Sequence, residues 1–409
     1  MSRPLVGERV LAERLHALTT HLADTRHLWR PRPFSQWRLP WETDHPEVSS
    51  WLRGLDDPAA RALELGEPLP VAAPSALHEW ARANQELTTI GPLSARQVVD
   101  VMPSARQLPP RKRDQIVAMA AAVEPPHQGG RFVDWCAGKG HLGRLLSRVH
   151  DRPAILLEHR RDVCEAGARI DARSPSRCTF VTVDVTQDRV EDHLRPDDTL
   201  VGLHACGVLT DRLVDTALRR RVRRFAVASC CYHKLEPGTI VYAPRSAAAM
   251  SADLELTRYD LRLATAEEVT ASPGRRARRR HEMVYRTGLD ALVRRASGED
   301  RYRPTGRAPS SWLRADFPDF CRRMAARSDL PLPAEITDAD LRAARRRATR
   351  IRALGVVRGL FRRALELWVA TDRALALAQL GHDVSLGTFC PADVTPRNLA
   401  IVAGIRGVE

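Results

Sequence analysis

Lysine is almost missing from this chain. Of 64 basic residues only Lys112, Lys139 and Lys234 are lysines, and arginine supplies the rest of a net charge of +14. The two cations are not equivalent, because lysine is a compact charge whose pKa moves on burial. A chain that otherwise uses arginine therefore marks three positions where lysine chemistry is expected. Also missing is any apolar run long enough to span a bilayer, and the opening MSRPLVGERVLAERL does not read as a secretion signal. A soluble cytoplasmic protein without membrane contact is expected. The eight cysteines (136, 164, 178, 206, 230, 231, 321 and 390) include no CxxC pair and no small-domain framework, so disulfides are not expected. No internal repeat stands out, and no low-complexity tract beyond one arginine run.

What is present starts with that charge. An arginine excess suits a polyanion such as RNA, where phosphate contacts dominate affinity. It also suits arginines spread over solvated faces, and composition does not choose between the two. A length of 409 residues allows two or three domains, or one core with large additions.

From 131 to 233 short apolar runs alternate with helical patterns. RFVDWCA, AILLEH, CTFVTVDV, TLVGLHAC and RFAVASCCYH read as strands. GHLGRLLSRVH, RRDVCEAGARIDA and TDRLVDTALRRRV read as helices between them. That order predicts an α/β fold, a parallel sheet with helices on both faces. Before it come helices near 5–23, 76–87 and 94–102, an irregular Trp/Pro-rich cap (LWRPRPFSQWRLPW), and a helix starting near Lys112 behind Pro109-Pro110. After it, Ile351, Leu354, Val357, Phe361, Leu365 and Trp368 predict one long helical region that Thr337 could cap. HDVSLGTFC and RNLAIVAGI close the chain as a hairpin-like pair. The expected division is an N-terminal mainly helical extension (1–105), a core (106–270), a basic helical insertion (271–380) holding five arginines between 275 and 280, and a hairpin completing the sheet (381–409).

The most informative stretch is RFVDWCAGKGHLG. Gly138, Gly140 and Gly143 follow the first strand and open a helix, so backbone and helix N-terminus can approach a ligand closely. The glycine spacing also fits NAD or FAD. Three acids separate the readings. Asp134 lies inside the strand, where a carboxylate suits an ammonium better than a pyrophosphate. Glu158 ends the second strand and can accept from both ribose hydroxyls. Asp184 follows in FVTVD, placed either for an adenine amino group or as a plain cap. Together they favour S-adenosyl-L-methionine, with Asp134, Cys136, Gly138, Lys139, Gly140, His141, Glu158, His159, Asp184 and Val185 on the donor side.

The fourth and fifth strands end in LHACGVLTD and SCCYHKL. Their turns should share the crevice, bringing His204, Cys206, Asp211, Cys230, Cys231, Tyr232, His233 and Lys234 to the acceptor side. His204, His233 or Lys234 would be the base if the acceptor is a hydroxyl. Three other readings stay open. Cys206 with Cys230 or Cys231 could act as a pair on a pyrimidine. One of the cysteines could be core filler. A zinc site from these cysteines with His204 or His233 is disfavoured, because neighbours on a strand point opposite ways and the usual ligand spacing is missing; no metal is expected.

VDWCAGKGH, LHACGVLTD and SCCYHKL resemble the methyltransferase domain of the animal glutathione-S-transferase-C-terminal-domain-containing protein and its bacterial relatives. More distantly they are similar to tRNA acceptor-stem 2′-O-methyltransferases, which carry a His-Leu-Cys-Gly run, a Thr-Asp and a Cys-Cys-x-His run. Here His204-Ala205-Cys206-Gly207, Thr210-Asp211 and Cys230-Cys231-Tyr232-His233 match. Arg111-Lys112-Arg113 resembles a basic pair ahead of that domain, and TFCPADVTPRNLAIVA resembles the end of the bacterial form. The likeness covers roughly 107–235 and 384–403. It implies a class I, Rossmann-like methyltransferase fold, S-adenosyl-L-methionine as donor, and RNA (tRNA or rRNA) as acceptor. A protein-methylating enzyme and a non-catalytic RNA-binding protein are the other readings. Leu203 stands where the tRNA enzymes have lysine, and their N-terminal Cys/His zinc modules are not visible here.

Overall fold

The computed structural model describes residues 2–98, 108–173, 176–266 and 270–405. Eight strands form one sheet: β1 (Leu5–Val6), β2 (Phe132–Trp135), β3 (Ala154–Glu158), β4 (Cys178–Thr182), β5 (Thr199–Leu203), β6 (Arg224–Ala228), β7 (His382–Thr388) and β8 (Leu399–Ile405). Their order is β1-β7-β8-β6-β5-β2-β3-β4. β2 to β6 run parallel, and β8 lies antiparallel between β6 and β7. The closing pair is therefore a hairpin that enters the sheet, as the sequence predicts. This is the Rossmann-like class I methyltransferase sheet, with β1 added at its edge.

The parallel strands reverse their order between β2 and β5, which is where ligands of such sheets bind, beyond the carboxyl ends of the strands. β2 is buried on both faces, as a central parallel strand must be. The helix His141–His150 that follows it buries Leu142, Leu145 and Leu146 in one cluster with Phe132, Leu156, Val201 and Ala226. Spacings of three and four residues do the same for helix Glu8–Asp24, which buries Leu11, Leu15, Leu18 and Leu22.

The described chain clusters into two units. The first, Met1–Asp24, Asn84–Ala266 and Arg362–Glu409, holds the whole sheet; the second, Thr25–Ala83 and Glu267–Phe361, is helical. The helix Arg362–Ala378 clusters with the sheet. The long helix expected across Ile351 to Trp368 is in fact two, Asp338–Gly359 and Arg362–Ala378. Phe361 N–H turns back to the Arg358 carbonyl at 3.2 Å, and Phe361 stays buried, so the apolar spacing runs on across the break and conceals it. Thr337 does cap the first of them, in a reciprocal capping box with Asp340. The helix expected at 94–102 is absent over 94–98, which is irregular; 99–102 lie outside the described residues. Among the described residues no helix is long and apolar enough to cross a membrane.

Helix Arg362–Ala378 is buried along nearly its whole length, and it carries charge into the first unit's interior. Asp372 accepts from the Tyr242 hydroxyl at 2.9 Å and from the Ser246 backbone N–H and hydroxyl at 2.8 and 2.7 Å. Arg373, 1% exposed, binds Asp211 and the Ser229 hydroxyl. Asp211 opens the helix after β5 and Ser229 follows β6, so one guanidinium clamps two strand ends. Removing one partner strands a buried charge. Arg373→Ala is expected to lower unfolding free energy by about 3–5 kcal/mol, read from denaturant titration; a loss within experimental error of zero would remove the clamp from the account.

Candidate active site at the strand ends

Asp134 sits on β2 at 3% exposure, and its Oδ2 accepts the Gly143 N–H at 2.9 Å. Gly143 has to be glycine, since a Cβ there would lie 2.2 Å from Leu156 Cδ2 and 3.1 Å from Asp134. Gly140, at φ +70°, would meet Leu156 at 2.5 Å, whereas nothing lies within 4 Å of a Cβ placed on Gly138. The glycine turn is thus closed beneath by core packing and open above at Gly138. Burial, against the Gly143 hydrogen bond and with help from Glu158, raises the Asp134 carboxyl to about 7. Among the described residues it has one hydrogen-bond donor and no cation partner.

Glu158, at the end of β3, is held flat across the turn. Gly138 N–H donates to its Oε2 at 3.0 Å and Arg160 N–H to its Oε1 at 3.1 Å; His159, exposed, places Nδ1 2.9 Å from Oε1. Oε2, with one donor, keeps a lone pair for a hydroxyl donor, and Oε1 keeps one when His159 does not donate to it. β4 stops at Thr182, so Asp184 lies two residues beyond it, half-buried between buried Val183 and Val185. Its Oδ1 already accepts from the Thr186 hydroxyl and N–H at 2.7 and 2.9 Å, which holds its pKa below the usual carboxylate value. His141 is buried against Arg144 at 3.1 Å, and burial, with Arg144, Lys112 and Lys139, lowers it to about 4. It is neutral near pH 7. Cys136 is held as a thiol, pushed up to about 12 by burial, then Glu158 and Asp134.

The acceptor side is built by two turns pressed together. Gly207, at φ +62° and ψ −123°, starts the helix Val208–Arg220. A Cβ at 207 would fall 2.1 Å from the Lys234 carbonyl oxygen, and that carbonyl accepts the Val208 N–H at 2.7 Å. Only glycine permits both the backbone angle and the contact. Two non-glycine residues with positive φ mark the ends of the switch-point strands, Cys136 at 57° after β2 and His204 at 68° after β5. Such strain of order 1–3 kcal/mol gathers at functional sites.

His204 Nε2 lies 2.7 Å from Gln115 Oε1, and the Gln115 amide nitrogen donates to the Val394 carbonyl at 3.3 Å. That second bond fixes which end of the amide faces the ring. Nε2 therefore carries the proton and Nδ1 the lone pair. The ring reaches solvent, but the crevice walls strip its hydration and, with Lys112 and Arg397, lower its pKa, while Cys231 opposes them. His233 Nδ1 pairs with the Thr265 hydroxyl at 3.1 Å, and burial lowers its pKa too. Lys112, Lys139 and Lys234 are all exposed.

Two expected acceptor residues turn away. Asp211 is buried in the Arg373 clamp and is also 3.6 Å from Arg245. Tyr232, 1% exposed, points its hydroxyl at Glu366 and packs its ring beneath Arg373. Both hold the site together and neither lines it. Thr210 likewise bonds the Ser229 hydroxyl at 2.9 Å.

The cysteines depart furthest from expectation. β6 ends at Ala228, so Cys230 and Cys231 lie beyond the strand and do not obey its alternation. The Cys206, Cys230 and Cys231 sulfurs lie within 4.8 Å of one another, with Cys230 and Cys231 3.7 Å apart. The three sulfurs are thus one compact cluster. Cys231 gives up its proton most readily, since the Cys206 and Cys230 thiols donate to it and Lys234 and His233 add positive potential against burial. Cys230 is pushed upward in turn, chiefly by its bonds to Cys206 and Cys231. Gln115, Arg397 and Arg373 went unnamed in the sequence reading. Arg397 lies within TFCPADVTPRNLAIVA, but the motif does not show where its side chain reaches, and Gln115 and Arg373 come from segments remote in sequence.

Residues 111–238 match a family profile described as "Methyltransferase domain". The chain is 34% identical over 139 residues to the glutathione S-transferase C-terminal domain-containing protein homolog of Drosophila pseudoobscura pseudoobscura, covering 33% of this chain and 23% of that one. It is 28% identical over 139 residues to the Homo sapiens protein of the same description, covering 33% and 21%. The chain thus spans under a quarter of the length of these curated relatives. Among solved structures it is similar to the Pyrococcus abyssi tRNA (uracil-54, C5)-methyltransferase in complex with S-adenosyl-L-homocysteine (20% identity, 28% of this chain and 27% of that, TM-score 0.24). It is also similar to the 23S rRNA methyltransferase ErmE (14% identity, 54% and 98%, TM-score 0.24). Residues 111–238 are therefore similar to a methyltransferase domain; the strand order, the open glycine turn and the buried acid of β2 agree with that likeness, which implies S-adenosyl-L-methionine as cofactor.

Proposed function

We propose that this protein is an S-adenosyl-L-methionine-dependent methyltransferase acting on RNA. The observation that carries the donor half is Asp134, a buried carboxylate with no cation partner among the described residues, beside an open glycine turn. It fits the methionine ammonium, Glu158 fits the ribose hydroxyls, and the free Oδ2 of Asp184 fits the adenine amino group. Bound there, the cofactor supplies an electrophilic methyl group on a sulfonium. The chain's own contribution is alignment and proton removal. His204, neutral and with Nδ1 bearing the lone pair, is the base in this reading, positioned by Gln115. Lys112 and Arg397 supply positive potential around it, and Lys234 does so at Cys231.

The RNA half rests on charge. Helix Pro273–Ser297 begins with five arginines between 275 and 280 and no acid in its first turn. Cations at a helix N-terminus oppose the macrodipole, an arrangement that phosphates would relieve. Arg111, Lys112 and Arg113 add exposed charge at the start of helix Pro110–Ala122.

Two outcomes are expected. The raised pKa of Asp134 means that ionising it costs the free protein stability as pH rises from the ordinary carboxylate range through about 7. A cation delivered to it recovers that cost. Donor affinity by calorimetry should therefore be full above pH 7 and fall up to about tenfold per unit below it. In Asp134→Asn it should be weak and flat with pH; a pH-independent affinity in the unsubstituted protein would show that this acid does not hold the donor. Second, labelled donor incubated with total RNA and total protein from a deletion strain should mark RNA. His204→Ala should lower that rate about 10²–10⁴-fold with donor affinity intact. Label confined to protein would end the RNA reading.

A further inference from the structure

We propose that Cys206, Cys230 and Cys231 form a three-sulfur site for one zinc-type metal ion, with its fourth position open to the crevice. The geometry is that of a coordination sphere. Zinc–thiolate bonds of about 2.3 Å in a tetrahedron put sulfurs about 3.8 Å apart; Cys230 and Cys231 stand at 3.7 Å, and all three sulfurs fall within 4.8 Å. The convergence is supported by backbone contacts that do not involve an ion. The Lys234 carbonyl fills the space above Gly207, and the Lys234 N–H bonds the Cys231 carbonyl at 3.1 Å. Of the eight cysteines, all free, only these three meet in this way among the described residues.

Charge and ligand count agree with this assignment. Three thiolates on a dication leave one negative charge, and the positive potential of Lys234 reaches both Cys206 and Cys231. A disulfide would use two sulfurs and leave the third beside it unused. Among the described residues no histidine ring nitrogen joins the three sulfurs within 4.8 Å, so no imidazole closes the sphere. Three protein ligands with a fourth position left to water or to an acceptor atom is the layout of zinc sites that act on a bound molecule.

The sulfurs follow β5 and β6 whereas the donor acids lie from β2 to just past β4, and metal and donor binding are read separately, so the two readings fail separately. The reduced full-length protein is titrated with cobalt(II), then with zinc(II). One cobalt ion per chain should give thiolate-to-metal charge-transfer absorption and the intense visible bands of a tetrahedral ion, which zinc then removes. Zinc should also protect Cys206, Cys230 and Cys231, but not the similarly half-buried Cys178, from alkylation mapped by peptide mass spectrometry. This arm needs no variant. Cys230→Ser and Cys206→Ser should each weaken binding at least about tenfold, as loss of part of a metal's ligand shell does; Cys164→Ser, off the trio, should not. Absence of the thiolate band, equal alkylation with and without zinc, or a disulfide within the trio in the freshly isolated protein would each overturn the proposal. Calorimetry with S-adenosyl-L-methionine on the same samples tells the cases apart: donor binding without metal sinks only the metal site, and metal without donor binding sinks only the donor pocket.

Discussion

A single atom, the carbonyl oxygen of Lys234, sets the shape of the acceptor side. It takes the place a side chain at 207 would need and accepts the first N–H of the following helix. Two turns that leave the sheet on neighbouring strands are thereby fused into one wall. Beneath them Arg373 binds Asp211 from one turn and Ser229 from the other. A buried guanidinium cannot shed its charge, so its partners are held in register as firmly as its desolvation demands. The wall is therefore fixed from above by backbone contact and from below by an ion pair, and the histidines and thiols between need not organise themselves.

The donor acids share one half of the crevice. Asp134, Glu158 and Asp184 lie from β2 to just past β4, with Lys139 and His141 among them, while His204, His233 and Lys234 stand beyond β5 and β6. The division follows from topology. The strand order reverses between β2 and β5, so residues on either side of that line come from different halves of the sheet and face one another across the gap. His141 and His204, on opposite sides, are both kept neutral by loss of hydration and by nearby cations. The site thus has basic imidazole lone pairs without adding positive charge of its own.

The strands and the donor acids were legible because they obey local rules. An apolar run bounded by glycines reads as a buried strand whatever surrounds it, and an acid at its end reads as a ligand for something cationic or hydroxylated. Asp211 and Tyr232 were misread because their partners are remote, with Arg373 162 residues and Glu366 134 residues further on. A motif shows that a residue matters but not which way it faces. The thiols were misread for another reason. Strand alternation was extended past the point where the strand stops, and two residues of coil suffice to bring neighbouring side chains to the same side. The break at Leu360 was concealed in the same way, by a pattern that outlives the hydrogen bonds it normally reports.

The scarcity of lysine now has a physical reading. Lys112 and Lys139 both bear on His141, Lys112 also on His204, and Lys234 on Cys231, Cys206 and His233. All three lysines of the chain act on one crevice. An arginine at these positions would offer a planar fork that seeks a carboxylate, and Glu158 and Asp184 stand across the gap. A lysine is a point charge on a flexible stem; it supplies potential to thiols and imidazoles without a comparable geometric claim on those acids. Using arginine for ion pairs such as Arg373 with Asp211, and lysine only around the site, keeps structural pairing and site electrostatics from competing for the same carboxylates.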